Sequence, residues 1–385
     1  MFDVVIVGAG FAGSVLARQF ASRKNKKVLL VEKRRHIAGN CYDWINRNGV
    51  LVHKYGPHLF HTSNKEVYSY LEQFTQWQEY QHHVLAAIDG KMIPLPFNLN
   101  SLEMLFPCSM ASSLESKLID NFGFGVKVPI LELKKVNDPE LKELADFIYT
   151  KIFVNYTAKQ WGCAPEDISA EVTGRVPVHI SRDNRYFQDV YQAVPKDGYT
   201  SMFENILNHP GIHLLLNTDY KDVVDVDPAS GRISLFGVPF SGEFVFTGMI
   251  DELFGYRFGR LPYRSLDFIF ETLEREYYQD AAVVNYPNNF DFTRITEFKH
   301  IHPRKLKQTT ILREFPRDYK GSKGEEDTPS YPVFTDQNTR CYQQYQDFAS
   351  KYSNITLIGR LAEYRYYDMD DIVARALDIY SSKFS

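Results

Sequence analysis

Cysteine is scarce in this chain: its 385 residues hold four, Cys41, Cys108, Cys163 and Cys341, widely separated and without a CxxC pair. Neither a disulfide framework nor a zinc site is suggested, and reduced thiols in a cytoplasmic setting are expected. An excess of positive charge is also lacking. Lys and Arg number 44 against 48 Asp and Glu, a net charge of −4, so nothing draws the chain globally to nucleic acid or anionic membrane, and a phosphate-bearing ligand must be held by a few placed cations. Long apolar runs are missing as well. The longest near the start, Val4 to Leu16, is broken by Gly8, Gly10 and Gly13, and Asp3 stands where a signal peptide needs positive charge, so neither export nor membrane insertion is expected. No internal repeat or low-complexity tract occurs. What the chain has in quantity is aromatic: 25 Tyr and 28 Phe, enough to line a stacking pocket as well as a core. Its length suits two or three domains with sizeable cores.

The residues Phe2 to Val7 form a continuous β-branched run, as in a strand buried on both faces of a parallel sheet. A glycine turn, a helix-compatible stretch from Ser14 to Ser22 and a second buried run, Val28 to Glu32, complete a βαβ unit. The alternation then lapses, which predicts a discontinuous nucleotide domain whose later pieces include Ile212 to Leu216, Phe244 to Thr247, the strand Ile355 to Gly359 and a last helix, Asp370 to Tyr380. In between, Ser63 to Glu66 fits a capping box before a helix to about Phe74. Asp138-Pro139 fits an N-cap with proline following, and Leu141, Leu144, Ile148, Ile152 and Tyr156 recur at helical spacing along one long helix. Short strands at Val84 to Ile88, Ala281 to Tyr286, Arg294 to Phe298 and Thr309 to Phe315 predict a mixed or antiparallel sheet. The polar stretch from Lys320 to Pro329 reads as a surface loop.

The expected fold is therefore α/β, a discontinuous Rossmann-like FAD-binding domain with an inserted helical domain and a mixed or antiparallel β-sheet domain. The boundaries are 1–80, 195–250 and 350–385 for the first, 100–165 for the helical domain with a mobile loop over 161–170, and 81–99, 171–194 and 251–349 for the sheet domain that meets substrate.

Gly8, Gly10 and Gly13 stand where a dinucleotide site needs a tight turn, close approach to a pyrophosphate and close helix packing. The helix N-terminus adds amides and a positive dipole. Glu32 ends the second strand, placed to accept from ribose hydroxyls, which favours FAD or NAD over NADP. Arg34-Arg35 and Gly39-Asn40 just beyond resemble the amine-oxidase-like FAD group, with Ala38-Gly39 where that group carries two glycines. Gly359-Arg360 and the helix opening near Asp368-Met369 suit the flavin edge. His53, His58 and His61 lack the spacing and companion ligands of a metal site, so no metal is expected, and His300-Ile-His302 reads as a strand pattern without chemistry.

Further stretches make the likeness specific: His53-Lys-Tyr-Gly-Pro-His58-Leu-Phe-His61-Thr, Leu95-Pro-Phe-Asn98, Asn155-Tyr156-Thr-Ala-Lys-Gln-Trp161-Gly, Gly174-Arg175-Val-Pro-Val, Asn184-Arg-Tyr186-Phe, Tyr256-Arg257-Phe-Gly, Tyr331-Pro-Val and Tyr366-Tyr367-Asp368-Met369-Asp370. In this order, over almost the whole chain, they resemble the bacterial UDP-galactopyranose mutase family. The resemblance implies interconversion of UDP-galactopyranose and UDP-galactofuranose without net redox, with reduced FAD supplying N5 as nucleophile on the anomeric carbon, and galactofuranose passing to surface glycans. It implies Arg175 and Arg257 on the diphosphate, and His58 beside N5. It places Tyr186, Tyr331 and Tyr366 as phosphate donors, Phe153 and Tyr156 around the uracil, Trp161 over the sugar and Asn98 in the substrate site. Gly8, Gly10, Gly13, Glu32, Lys33, Gly39, Asn40, His58, His61, Arg360, Tyr366, Asp368 and Met369 fall to the cofactor. A cytoplasmic homodimer is the family expectation. Three alternatives stay open on the sequence: a flavin amine oxidase, a nucleotide-sugar-binding protein that holds FAD without turnover, and a mutase for the 2-acetamido sugar.

Overall fold

The computed structural model describes residues 2–162, 177–227, 232–321 and 327–384. The β-branched run at the start becomes the central strand, Val4–Val7, of a five-stranded parallel sheet. Val28–Val31 and then Ile212–Leu215 lie on one side, Glu243–Phe246 and then Ile355–Leu357 on the other. Three of these strands arrive from distant parts of the chain, as the early lapse of alternation predicts. Helices Phe11–Lys24, Tyr199–Leu207 and Met369–Phe384 bury Val15, Phe20, Phe203, Val373 and Tyr380 in the layer over one face. On the opposite face Phe244 and Phe246 of the sheet pack with Phe254 and with Tyr345 and Phe348 of helix Asp336–Ala349. Parallel strands thus sit between two apolar layers, which is why they read as unbroken hydrophobic runs.

A second sheet of seven strands runs Tyr331–Pro332, Tyr263–Leu273, Thr309–Asp318, Arg294–Glu297, Val283–Asn285, Val84–Ile88, Lys91–Leu95 in spatial order. Its pairs are antiparallel except Val283–Asn285 with Val84–Ile88. The helices Leu99–Leu105, Cys108–Phe122, Ile130–Leu133 and Pro139–Ile148 share a core of Leu102, Leu114, Leu118, Leu141, Leu144 and Ile148.

Several elements differ from expectation. The cap of helix Lys65–Glu72 is Asn64, whose side chain accepts from the amides of Glu66 and Val67, rather than Ser63. Ser63 Oγ instead donates to Asp189. The long helix after Asp138 is interrupted by a π-helical turn, Tyr149–Val154, and resumes as Asn155–Trp161. The wider turn carries the chain off the apolar stripe: Ile152 is still core, whereas no residue of Asn155–Trp161 is buried. Such turns concentrate at functional sites. His300 closes a 3-10 turn, Phe298–His300, instead of lying in a strand. Of the expected surface loop, residues 322–326 lie outside the described residues, as do 163–170 of the expected mobile loop, while Asp327 and Thr328 are buried.

Candidate active site

The parallel sheet ends in a cleft above its central strands. Gly8 and Gly10 from the first turn, Glu32 and Lys33 after the second strand, Gly39 and Asn40 beyond it, His58, and Arg360, Asp368 and Met369 from the C-terminal segment all line it. Gly13 lies beneath it and serves packing: a Cβ there would fall 1.9 Å from the Gly8 carbonyl oxygen. Gly39 (φ +55°) backs onto Gly10, where a Cβ would lie 2.9 Å from the Gly10 Cα. Ala38 holds the same left-handed backbone, φ 72°, a conformation that glycine adopts without the steric cost a Cβ brings. Glu32 accepts from the amides of Ala9 at 2.8 Å and Arg34 at 3.0 Å, so its carboxylate is fixed at the cleft wall.

Two observations show that a dinucleotide fits. The Gly10–Gly39 contact forms a backbone cradle free of side chains at the N-terminus of helix Phe11–Lys24, where amides and dipole favour a diphosphate. Arg34 lines the same cleft, and its Nη1 is buried without a hydrogen-bond partner, an arrangement that costs free energy until an anionic oxygen accepts from it.

At the His58 end the cleft meets an aromatic and cationic wall. The rings of Tyr331 and Tyr366 are parallel, 6.0 Å apart, and the Arg360 guanidinium lies 4.9 and 4.7 Å from their centroids. Trp161 is 5.7 Å from Tyr331. Tyr366 Oη donates to Asp368, and Tyr186 packs edge-on to His82 at 5.7 Å. Desolvation of its hydroxyl raises the Tyr156 phenol above the usual range although the residue as a whole is half-buried, and Arg294, Tyr186, Glu314 and Tyr331 act on it electrostatically. His58 Nδ1 donates to the Gly56 carbonyl at 2.9 Å, which leaves Nε2 as a bare acceptor. Burial first, and then the charges of Arg360 and Arg294, hold His58 down at about 4.

Four expected residues are placed elsewhere. Arg257 sits on an exposed turn after helix Ile250–Leu253, its guanidinium over the Phe348 ring at 4.7 Å and away from the tyrosine wall. Asn98 is buried as an N-cap: its oxygen accepts from Asn100 and Ser101, and its amide donates to Asp183 and Asn184, which leaves nothing for a ligand. Phe153 is 9% exposed in the helical core. His61 stacks on Phe187 at 3.6 Å and pairs with Asp189, outside the cleft lining. Arg175 lies outside the described residues.

One residue was missed. Arg294 stands directly opposite Glu314 across the sheet, with Nε 2.7 Å from its carboxylate. Glu314 is 1% exposed, and Arg294 Nη2 would lie 3.5 Å from a Cβ on Gly56, next to the His58 loop. Burial opposes the Arg294 charge, but Glu314 more than restores it, and the guanidinium is held firmly cationic. No local signal marked it, because Arg294–Glu297 and Thr309–Asp318 each carry other charges and the pairing of Arg294 with Glu314 is set by register across the sheet.

Buried histidines give the protein a pH signature. His36, His58 and His302 are held at about 4 and His82 at about 3, in each case chiefly by burial. Between these values and the ordinary 6.5 the unfolded chain binds more protons than the folded one, so stability present above pH 6.5 is lost as pH falls toward 4. His300, raised by Glu297 against the effect of burial, opposes this in part. The urea midpoint should therefore fall from pH 7 to pH 5, and a flat midpoint over that range would contradict the neutral burial of these rings.

Comparison with known proteins follows the same lines. A family model described as UDP-galactopyranose mutase matches residues 151–366, and one described as NAD(P)-binding Rossmann-like domain matches residues 6–74. The chain is 35% identical to a dTDP-fucopyranose mutase of Escherichia coli, over 98% of this chain and 97% of that one. It is 34% identical to a UDP-galactopyranose mutase of Mycoplasma pneumoniae, over 98% and 94%. A crystal structure of a reduced UDP-galactopyranose mutase superposes with a TM-score of 0.77 at 14% identity, covering 100% of this chain and 94% of the other, and shows the shared fold.

Proposed function

This chain belongs to the UDP-galactopyranose mutase family and is an isomerase, and on that premise we propose that it interconverts UDP-galactopyranose and UDP-galactofuranose with FAD held reduced in the glycine-lined cleft. The observation that carries this reading is the junction at His58, where a dinucleotide cleft opens against tyrosines and arginines suited to a second diphosphate. Family membership implies a flavin, and reduced FAD supplies an electron-rich N5 able to act as a nucleophile toward an anomeric carbon.

The chain's own residues do the rest. Arg294 and Arg360, joined by Arg175, hold the sugar-nucleotide diphosphate and offset the charge that grows as UDP departs; forked guanidinium groups match phosphate oxygens in a way an ammonium does not. Tyr331 and Tyr186 offer phenolic hydrogens to the same oxygens, and Tyr366 joins them by turning its hydroxyl from Asp368. Tyr156 borders the base and Trp161 the sugar. His58, neutral with a bare Nε2, accepts a hydrogen bond beside the reacting centre without adding a positive charge that would repel an oxocarbenium-like carbon. In this reading the protein works as a cytoplasmic homodimer that supplies galactofuranose for surface glycans.

The likeness to a dTDP-fucopyranose mutase supports a second reading, a 6-deoxy sugar on a thymine nucleotide. Competition between the two furanose substrates separates them. A kcat/KM at least about ten-fold higher for UDP-galactofuranose, the lower end of what a single differing group in a pocket is worth, is expected; the reverse preference would move the assignment to the dTDP sugar.

A further inference from the structure

The helix that carries Trp161 poses a packing problem. No residue of Asn155–Trp161 is fully buried, so the packing that normally holds a short helix in place is thin, yet its last residue stands 5.7 Å from Tyr331 in the tyrosine wall and 6.2 Å from Phe334. Polar tethers take the place of burial. Asn155 bonds to Asn288 at 2.7 Å, and Lys159 Nζ donates to the Tyr286 carbonyl at 3.0 Å.

The strongest tether is Arg264. Its Nε donates to the Gln160 carbonyl at 3.0 Å and its Nη2 to the Lys159 carbonyl at 2.9 Å, while Nη1 pairs with Asp318. The last carbonyls of a helix have no partner within it, and a cation there also meets the negative end of the dipole. Arg264 is 6% exposed. Gly162, at φ +73°, lies so close that a Cβ would fall 2.6 Å from Arg264 Nη1, so the backbone leaving Trp161 rests on the guanidinium itself. The other end of the arrangement is Tyr331: Arg264 and Tyr331 are register partners on adjacent strands, and the Ser330 amide donates to the Arg264 carbonyl at 2.8 Å.

We propose that Arg264 is a positioning residue that locks Trp161 to Tyr331 by gripping the C-terminal carbonyls of the Trp161 helix from the strand beside Tyr331. All three of its guanidinium nitrogens are engaged by protein partners, so it acts through the helix and not on a ligand. Its fork spans two successive carbonyls, which a lysine cannot do. The inference rests on the proposed function for its kinetic consequence, but the lock itself is a property of the ligand-free chain.

The test uses the full chain with Trp44 and Trp77 replaced by Phe, which leaves Trp161 as the sole indole, and compares Arg264 with Arg264→Met, Arg264→Lys and Gly162→Ala. Without ligand, acrylamide should quench Trp161 about two-fold or more efficiently in Arg264→Met, because a helix without buried residues loses its main anchor. Arg264→Lys should fall between, and Gly162→Ala, whose added methyl pushes on the guanidinium at an exposed position, should shift quenching in the same direction without loss of fold. With UDP-galactofuranose, KM should rise about ten-fold while kcat changes less, the signature of lost ground-state positioning, and flavin content should stay at the parent level. Unchanged quenching in Arg264→Met and Gly162→Ala would overturn the lock. If Arg264→Met does not fold, the Gly162→Ala and Arg264→Lys proteins decide it. Altered quenching in a parent that shows no turnover would retain the lock and reject the proposed function instead.

Discussion

Arg294→Lys is expected to lower turnover by about a hundred- to a thousand-fold, the range found when a placed donor to developing negative charge is removed, with flavin content unchanged. The size follows from the setting. Arg294 shares one side of its fork with a carboxylate that is 1% exposed, and Nη2 lies toward the Gly56–His58 loop. Lysine keeps the charge that Glu314 needs but cannot serve the carboxylate and a phosphate oxygen together. Arg294→Ala is a poorer probe, because an uncompensated buried carboxylate costs about 3–5 kcal/mol of stability and confuses folding with catalysis. The control is Arg257→Ala. With its guanidinium stacked on Phe348 from an exposed turn, that variant should turn over like the parent. Steady-state rates and bound-flavin absorbance of the two variants decide the point: an active Arg294→Lys or an inactive Arg257→Ala would return the diphosphate role to the arginine read from the sequence.

Gly10→Val should abolish flavin retention while leaving an intact apoprotein. The Gly10 backbone, φ −83° and ψ −172°, is one that any L residue adopts. A Cβ there meets only the Gly39 Cα, at 3.8 Å, an ordinary contact. Added carbons therefore cost the fold little, but they occupy the cradle where a diphosphate must touch backbone, and an affinity loss of at least about a hundred-fold is expected. Gly13→Ala should behave in the opposite way. Its methyl would collide with the Gly8 carbonyl at 1.9 Å, so thermal unfolding should shift down with or without cofactor. Flavin content after purification, read beside the apoprotein melting temperature, distinguishes the two. A yellow Gly10→Val protein would mean that the diphosphate lies elsewhere.

The parts of the molecule that were legible in the sequence are those written in local pattern. The strand Val4–Val7, the glycine turn and Glu32 carry their chemistry within one βαβ unit, and all of them meet at one cleft wall. Tyr331, Tyr366, Arg360 and Trp161 were found through ordered motifs and do come together. What was not legible depends on contacts between distant segments. Arg294 acquires its meaning only from Glu314, twenty residues on and in register across a sheet. Arg257 looked like its equal in a short motif, yet the turn that holds it faces Phe348 and solvent. Asn98 reads as a polar ligand in sequence, but the amides of Asn100 and Ser101 and the oxygens of Asp183 and Asn184 consume it as a cap. The π-helical turn was invisible because apolar spacing through Ile152 fits a continuous helix, and only the unburied final turn shows that the period had changed.

The central claim is that one cleft holds a reduced flavin and a sugar nucleotide so that the ring is rearranged without net oxidation. Purified holoenzyme is incubated with UDP-galactofuranose under anaerobic conditions, once reduced with dithionite and once fully oxidised, and the nucleotide sugars are separated by chromatography. UDP-galactopyranose should accumulate to equilibrium with the reduced protein and at no more than about a hundredth of that rate with the oxidised one, since an oxidised N5 is electrophilic and cannot attack an anomeric carbon. Equal rates in the two states, or no conversion by a reduced protein that retains its flavin, would contradict the account.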